Sequence, residues 1–506
     1  MPPPMTAAPP DRIDWLAWDV WALDRAARTR RPILLALGPA WCEGRRRMDE
    51  MVYTDPSVAT IVRDQFVPIR VDTDRRPDIA ERYTLSGWPT SACLTPDGEL
   101  LTGGVLLDVP DLVSMLTETA EAYRVRGPEL EARAQAASAR RAVERRSTRP
   151  RPADATPVGD WLEREALAAF DPVHGGFGDA YKWPNVPLLR FVIRRYADGA
   201  DPRLRDLVTR TIDGMADGGL LDAIEGGFFR YAEGADWSAP HTEKLLAVNA
   251  DCLRLYLDAW TTFDRARDRD AIEMILGYLG ATLWSDADRG FFSSQAADAT
   301  YYALDSIEAR RTRPAPDVDP TIYVSSNARM VSALLATADV TGDQEICDRA
   351  IDVLERLLSA YQPGHGIAHV VTSEPDIRGQ LGDQIFAAQA VLDAFEASGN
   401  EVYLDLSKEL LLYCERVLWD PDEGGFLDRD RAIGAADVGL LLEPVKPLDL
   451  NADAACALVR IAKATRHEDD ERRATEARAW CRDEHRTHGL MAAPYALAEC
   501  EAADSN

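Results

Sequence analysis

The chain has 506 residues, 46% of them hydrophobic, and a net charge of −28. That length predicts two or three domains, and the charge argues against nucleic acid or an anionic membrane surface as partner. No apolar run approaches the roughly 18 residues of a membrane span, and the opening "MPPPMTAAPPDRIDW" has neither the basic nor the apolar region of a secretory signal, so a cytoplasmic protein is expected. Only five of the 57 basic residues are lysines. An acidic, lysine-poor surface suits a salt-rich cytoplasm, and a GC-rich coding sequence gives the same bias. Eight cysteines are scattered without a Cys-x-x-Cys pair, which points to neither a zinc site nor a disulfide framework. No metal or cofactor is expected.

Residues 11–30 place Trp15, Trp18, Val20 and Leu23 at helical spacing, which predicts an amphipathic helix with an aromatic face. "PILLAL" (32–37) predicts a short buried strand. "MDEMVYTDPSVATIVRDQF" (48–66) predicts helix, turn, helix, and "VPIRVDTD" (67–74) a second strand ending in acids. "GWPTSACLTPDGELLTGG" (87–104) predicts two strands around a Pro-Asp-Gly turn. A closing helix over 108–125 completes an α/β domain with a central sheet, spanning 11–127. Residues 128–158 are charged and Ala-rich, then Arg- and Pro-rich, which predicts a helix tail running into a linker.

Beyond residue 158 strand signals almost vanish and one turn recurs. It reads "DPVHGGFGDA" (171–180), "AIEGGFFRYA" (223–232), "SDADRGFFSS" (285–294), "QPGHGIAHVV" (362–371), "DPDEGGFLDR" (420–429) and "HRTHGLMAAP" (485–494). The intervals leave room for two helices each. Helical hairpins must stack to bury their apolar faces, and six of them can close into an (α/α)6 toroid over 159–500. An open solenoid is the alternative that fewer, more regular repeats would favour.

Two sets of residues carry a resemblance. "IDWLAWDVWALDRAARTRRPILLALG", "VPIRVDTDRRPDIAERY" and "GWPTSACLTPDGELLTGG" resemble the thioredoxin-like domain of the spermatogenesis-associated protein 20 / YyaL family. "GGLLDAIEGGFFRYAEGADWSAPHTEKLLAVNADCLRLYLDAW" (218–260) resembles that family's second domain. The resemblance implies a thioredoxin-like domain followed by the toroid. It aligns Cys42 with the first cysteine of a Cys-x-x-Cys-His motif, Arg45 with the second and Arg46 with the histidine, and it implies a cis bond before Pro89. One thiol cannot resolve a mixed disulfide. Cys42 at a helix N-terminus with Arg45 one turn on still has the ingredients of a thiolate. Three arginines in a first turn call for an anion nearby: a thiolate, a phosphate or a carboxylate. The opposing reading is a buried relic.

In the second domain the family pattern falls on Trp237, Pro240, His241, Glu243, Lys244 and Asn249. His241, Glu243 and Lys244 open an inner helix and are expected to face the toroid cavity. A histidine and a carboxylate can do general acid–base work on a sugar. Asp298 and Asp383 are candidate partners from other hairpins, and Trp183, Trp237 and Asn249 candidate ligand contacts, with Arg45 and Pro89 flanking Cys42 in the first domain. Each also has a structural reading, as a helix cap, a buried ion pair or a core residue. His365 and His369 are four apart, but Gly364 and Gly366 argue for a turn rather than a metal pair. Three functions stand: a sugar epimerase- or hydrolase-like enzyme, a monothiol redox protein acting on a small thiol or partner through Cys42, and a binding protein with both sites degenerate.

Overall fold

The computed structural model describes residues 12–147, 156–373, 377–431 and 434–504. The chain forms two compact units. One comprises Met1–Arg149 with Ala432–Pro444, the other Pro150–Arg431 with Val445–Asn506.

The first unit contains α1 (Val20–Thr29), β1 (Ile33–Leu37), α2 (Glu43–Arg47), α3 (Pro56–Gln65), β2 (Val67–Val71), α4 (Pro77–Tyr83), β3 (Thr90–Leu94), β4 (Leu100–Val105) and α5 (Val109–Ser147). The sheet order is β2-β1-β3-β4; β1 runs parallel to β2, and β3 antiparallel to both β1 and β4. All five residues of β1 are buried, because helices cover both faces. Ile33, Leu35 and Leu37 pack with Trp18, Ala22, Ile79 and Tyr83, whereas Leu34 and Ala36 pack with Met48, Val62, Phe66 and Leu116.

The helix expected from residue 11 starts only at Val20. The Asp19 carboxylate accepts from the Ala22 amide and fixes the helix start there. The preceding residues run extended, with Leu16 bridging Ile69 of β2. The aromatic face survives in another form: Trp15 meets Tyr53 edge-on at 5.0 Å, and Trp18 packs on Tyr83 at 5.2 Å.

A strap from far along the chain completes this unit. Trp18 Nε1 donates to the Ala436 carbonyl (3.0 Å), and the Leu440 amide donates to the Tyr83 hydroxyl (3.2 Å), which itself donates to Gly98 O (2.7 Å). Leu440 and Leu441 join the core face of Trp18 and Tyr83. Gly439 has φ 55°, and a Cβ there would lie 2.2 Å from Gly98 O.

The second unit contains α6 (Val158–Ala169), α7 (Val186–Gly199), α8 (Pro202–Asp217), α9 (Leu246–Phe263), α10 (Ala266–Tyr278), the short α11 (Ala299–Tyr302) and α12 (Ile307–Arg310), α13 (Val324–Thr341), α14 (Gln344–Leu358), α15 (Leu381–Ser398), α16 (Glu401–Val417), α17 (Leu448–Thr465), α18 (Glu468–Glu484) and α19 (Ala493–Ala503). Helices α7, α9, α13, α15, α17 and α19 pack in that order, and α19 returns to α7, so the ring closes. Helices α8, α10, α14, α16, α18 and α6 pack outside them, one on each. This is the (α/α)6 toroid.

The recurring turns lie between an outer helix and the next inner one. In three of them the sequence is Asp-x-x-x-Gly-Gly-Phe, at 171–177, 222–228 and 420–426. The aspartate amide donates to the second glycine's carbonyl, and the first glycine's amide donates back to the aspartate carbonyl. Both glycines of each pair have φ between 70° and 79°, which only glycine adopts at little cost. A Cβ on Gly227 would also sit 2.4 Å from the Tyr278 ring.

A lysine from the following segment locks each turn. Lys182 binds Asp171 and Gly175 O, Lys244 binds Asp222 and Gly226 O, and Lys446 binds Asp420 and Gly424 O, all at 2.7–2.9 Å. An amide at the fourth residue of the next inner helix then clamps the turn's last residue. Asn249, Asn327, Gln384 and Asn451 each accept from, and donate back to, the backbone of Phe228, Phe291, Ile367 and Phe426 respectively.

Candidate functional site in the toroid mouth

All these turns lie at the end of the ring where the inner helices begin, so their loops build its mouth. Three extended segments meet there. Lys182 and Ala232 exchange both backbone hydrogen bonds, and the His241 amide donates to Tyr231 O (2.8 Å). Alternate residues of an extended segment face opposite ways. Lys182 and Ala232 turn inward and have no exposed surface, while Trp183, Tyr231 and His241 turn outward.

The outward rings stack. Trp183 lies on Tyr231 at 4.1 Å and 12°, and Tyr231 lies on His241 at 4.1 Å and 17°. Trp183 remains 44% exposed. The Arg230 guanidinium lies 4.7 Å from the Tyr231 ring and is held by Glu243. His241 Nε2 sits 2.8 Å from Glu233 Oε1, and its side chain keeps 34% exposure.

The remaining sequence-derived residues separate from this group. Lys244 has no exposed surface and does not face the cavity; Phe229, Tyr278 and Tyr302 ring its ammonium at 4.5–5.1 Å. Burial pushes it down to about 8 against the pull of Asp222. It repeats what Lys182 and Lys446 do, which makes it a turn lock. Burial opposes ionisation of Asp222, yet Arg310 and Lys244 hold its carboxyl below the usual range. Trp237, expected to stack on a sugar, is fully buried, and its Nε1 donates to His174 O at 2.9 Å. Asn249 is the buried clamp described above. Asp298 caps α11, accepting from the amides of Thr300 and Tyr301. Asp383 is buried beside His369 rather than His241, with Oδ2 2.8 Å from His369 Nδ1. Among the described residues, no three His, Cys, Asp or Glu side chains are grouped to hold a metal.

In the first unit Cys42 precedes the five-residue α2 and is buried. The Trp88–Pro89 bond is cis, and a Cβ on Gly44 would touch Pro89 Cδ at 2.8 Å, with Cys42 Sγ at 3.6 Å. Arg45 donates to Gly38 O and to Asp72 Oδ2, both at 2.7 Å. The anion that the arginines call for is therefore a carboxylate.

Sequence reasoning missed Tyr231, the ring between Trp183 and His241, and the pairing of His369 with Asp383. It also missed a charged layer inside the ring. Asn-Ala-Asp (249–251), Asn-Ala-Arg (327–329) and Asn-Ala-Asp (451–453) stand at the same point of three inner helices. Asp251 pairs with Arg329, whose guanidinium lies 5.1 Å from the Phe386 ring, and Arg190 Nε lies 2.7 Å from Asp258. The repeated tripeptide was the available signal.

Residues 4–141 match the DsbH thioredoxin family model, described as a protein of unknown function, DUF255. Human spermatogenesis-associated protein 20 is 23% identical over 84% of this chain and 70% of its own. An uncharacterized protein of Caenorhabditis elegans is 30% identical over 57% of this chain, which spans only 42% of that relative's length. Among solved structures, a D-mannose isomerase superposes with a TM-score of 0.51 at 17% identity, over 65% of this chain and 87% of its own. A cellobiose 2-epimerase from Spirochaeta thermophila gives 0.51 at 15%, over 62% and 80%. At such identities the superpositions speak for the fold alone. Among the described residues no helix is long and apolar enough to cross a membrane. In its N-terminal match and in the relatives that span both units, the chain is similar to the spermatogenesis-associated protein 20 family.

Proposed function

We propose that the toroid mouth binds an uncharged sugar and moves a proton on it, as an epimerase or isomerase does. The observation that carries this reading is the outward stack of Trp183, Tyr231 and His241. Its exposed Trp183 ring offers a flat apolar face to the C–H face of a pyranose. At the other end of the stack, two ring spacings away, stands an imidazole backed by a carboxylate, a pair suited to taking a proton from carbon next to a carbonyl on a sugar unit beyond the one that Trp183 holds. Glu243 and Lys244 support the site rather than act in it. The first unit is read as thioredoxin-like without dithiol turnover: Cys42 is the one thiol of the aligned motif, and an arginine bound to Asp72 takes the place of the second.

The test is solvent exchange. A panel of free reducing sugars is incubated with the protein in D2O and followed by NMR at C2. Deuterium entry is expected for at least one sugar, lost in His241→Ala, with binding weakened at least tenfold in Trp183→Ala and folding intact in both. A panel in which no sugar binds or exchanges would overturn the reading.

A further inference from the structure

The stack ends in a hairpin whose register decides what His241 meets. Ala232 pairs with Pro240, so Tyr231 stands opposite His241 and Glu233 opposite Ala239. The His241 amide donates to Tyr231 O (2.8 Å), and the Glu233 amide to Ala239 O (3.2 Å). On one face of an antiparallel pair a side chain touches its opposite and its diagonal neighbours. For His241 these are the Tyr231 ring and the Glu233 carboxylate. The hairpin's end is held in a left-handed backbone at two non-glycine residues, Trp237 (φ 67°) and Ala239 (φ 52°). Such strain persists only where the surroundings impose it, and the fully buried Trp237 ring supplies the anchor.

The hydrogen bonds then fix where the protons are. His241 Nε2 lies 2.8 Å from Glu233 Oε1 and 2.8 Å from the Tyr231 hydroxyl. One ring nitrogen holds either a proton or a lone pair. An ionised carboxylate can only accept, so Nε2 carries the proton and gives it to Glu233. The Tyr231 ring lies at 17° to the imidazole, stacked on it, so its hydroxyl approaches from beside the imidazole plane, where no lone pair points. Two consequences follow for the neutral histidine. Its lone pair is on Nδ1, which makes no hydrogen bond among the described residues, on a side chain 34% exposed. The Tyr231 proton is not taken by Nε2, and among the described residues that hydroxyl has no other partner. A base without a proton therefore stands beside a donor without an acceptor.

We infer that Tyr231 acts with His241: its hydroxyl donates to the carbonyl oxygen of an open-chain reducing sugar while His241 Nδ1 takes the proton from the neighbouring carbon. The C2–H bond breaks and its proton goes to Nδ1. Its electron pair forms the C1–C2 double bond, and the charge moves to O1, where the Tyr231 hydrogen bond meets it. Return of the proton to the other face of C2 gives the epimer, and to C1 the isomer, with nothing oxidised or reduced overall. Glu233 touches no reacting atom; it is a positioning residue that keeps the proton on Nε2. The catalytic half rests on the sugar reading, and the proton placement does not.

The test has two arms. The first uses the ligand-free protein near pH 8, above the ordinary histidine value of about 6.5. Nitrogen NMR locates the proton on the His241 ring, assigned by its loss in His241→Ala. A proton on Nε2 is expected in wild type and in Tyr231→Phe, with the preference lost in Glu233→Ala. A wild-type proton on Nδ1 overturns the proposal. The second arm follows deuterium entry at C2 of the sugar found by solvent exchange. Tyr231→Phe keeps the stacked ring and removes only the hydroxyl, so kcat is expected to fall about 100-fold with KM nearly unchanged. Wild-type kcat in Tyr231→Phe, or a loss seen in KM alone, overturns the catalytic half. If no sugar exchanges in wild type, the sugar reading and the catalytic half fall together, and the proton placement is decided by the first arm alone.

Discussion

At the scale of single residues, the most informative comparison is between lysines. Three of the five lysines in the chain lock Asp-x-x-x-Gly-Gly turns in the same way. Lys244→Met leaves Asp222 with Arg310 and the Ile224 amide, and Lys182→Met leaves Asp171 with the Val173 and His174 amides and no cation. Removing one partner of a buried pair costs about 3–5 kcal/mol, so both variants are expected to lose that much in urea unfolding. A stable, inactive Lys244→Met beside an unfolded Lys182→Met would restore Lys244 to catalysis. The sequence displayed the glycines of these turns plainly, because a left-handed pair followed by an aromatic leaves few alternatives. It did not display what the lysines hold, since that depends on which carboxylate the fold brings near. Asn249 was singled out by resemblance alone; only its hydrogen bonds to Phe228 identify it as a clamp.

Elements were legible where periodicity and punctuation agree. The six turns marked the hairpins, and the closed ring follows from them. The strands and hairpin of the first unit stand where the apolar runs and the Pro-Asp-Gly turn place them. The helix read from residue 11 failed because Trp15 and Trp18 fit a helical face and an extended edge equally well, and Asp19 decides between them. The strap was invisible: nothing in residues 434–444 announces a partner such as Tyr83, 357 residues from Leu440. Its tightest point is Gly439 against Gly98. Gly439→Ala is expected to cost about 1–2 kcal/mol for the left-handed backbone alone, and more for the contact with Gly98 O. Hydrogen exchange should show the loss around Tyr83, Gly98 and Leu440, with the toroid's inner helices unchanged. Uniform loosening of both units would contradict a strap that belongs to the first.

For the whole molecule, charge sets the response to pH and salt. Burial raises Asp453 and Glu415 to about 7 and Asp268 to about 6. Each ionises more easily in the unfolded chain, so the folded state loses stability as pH climbs from about 4 to 7. Asp171 and Asp420 go the other way. Burial opposes ionisation, but Lys182 and Lys446 bring both down to about 2; their contribution is intact above the ordinary carboxylate range and lost as pH falls through it. The melting temperature is therefore expected to peak near pH 4, at about the crossover of the two groups. At pH 8 added salt should raise it by screening a net charge of −28. A peak above pH 7 would contradict this balance. Of the charges behind it, Asp453 was within reach of the sequence, through the repeated Asn-Ala-Asp and Asn-Ala-Arg, but the rotation of its helix is fixed only once the asparagines are seen gripping their turns.

The strap also orders events during synthesis. A ribosome completes the sheet of the first unit by residue 105, yet the segment that covers Trp18 and Tyr83 ends at Pro444. The first unit to emerge thus waits for its last segment until most of the toroid has been made. Until then its Trp18–Tyr83 face stays open to chaperones, and a chain broken off within the toroid leaves that face uncovered as a mark of incomplete translation.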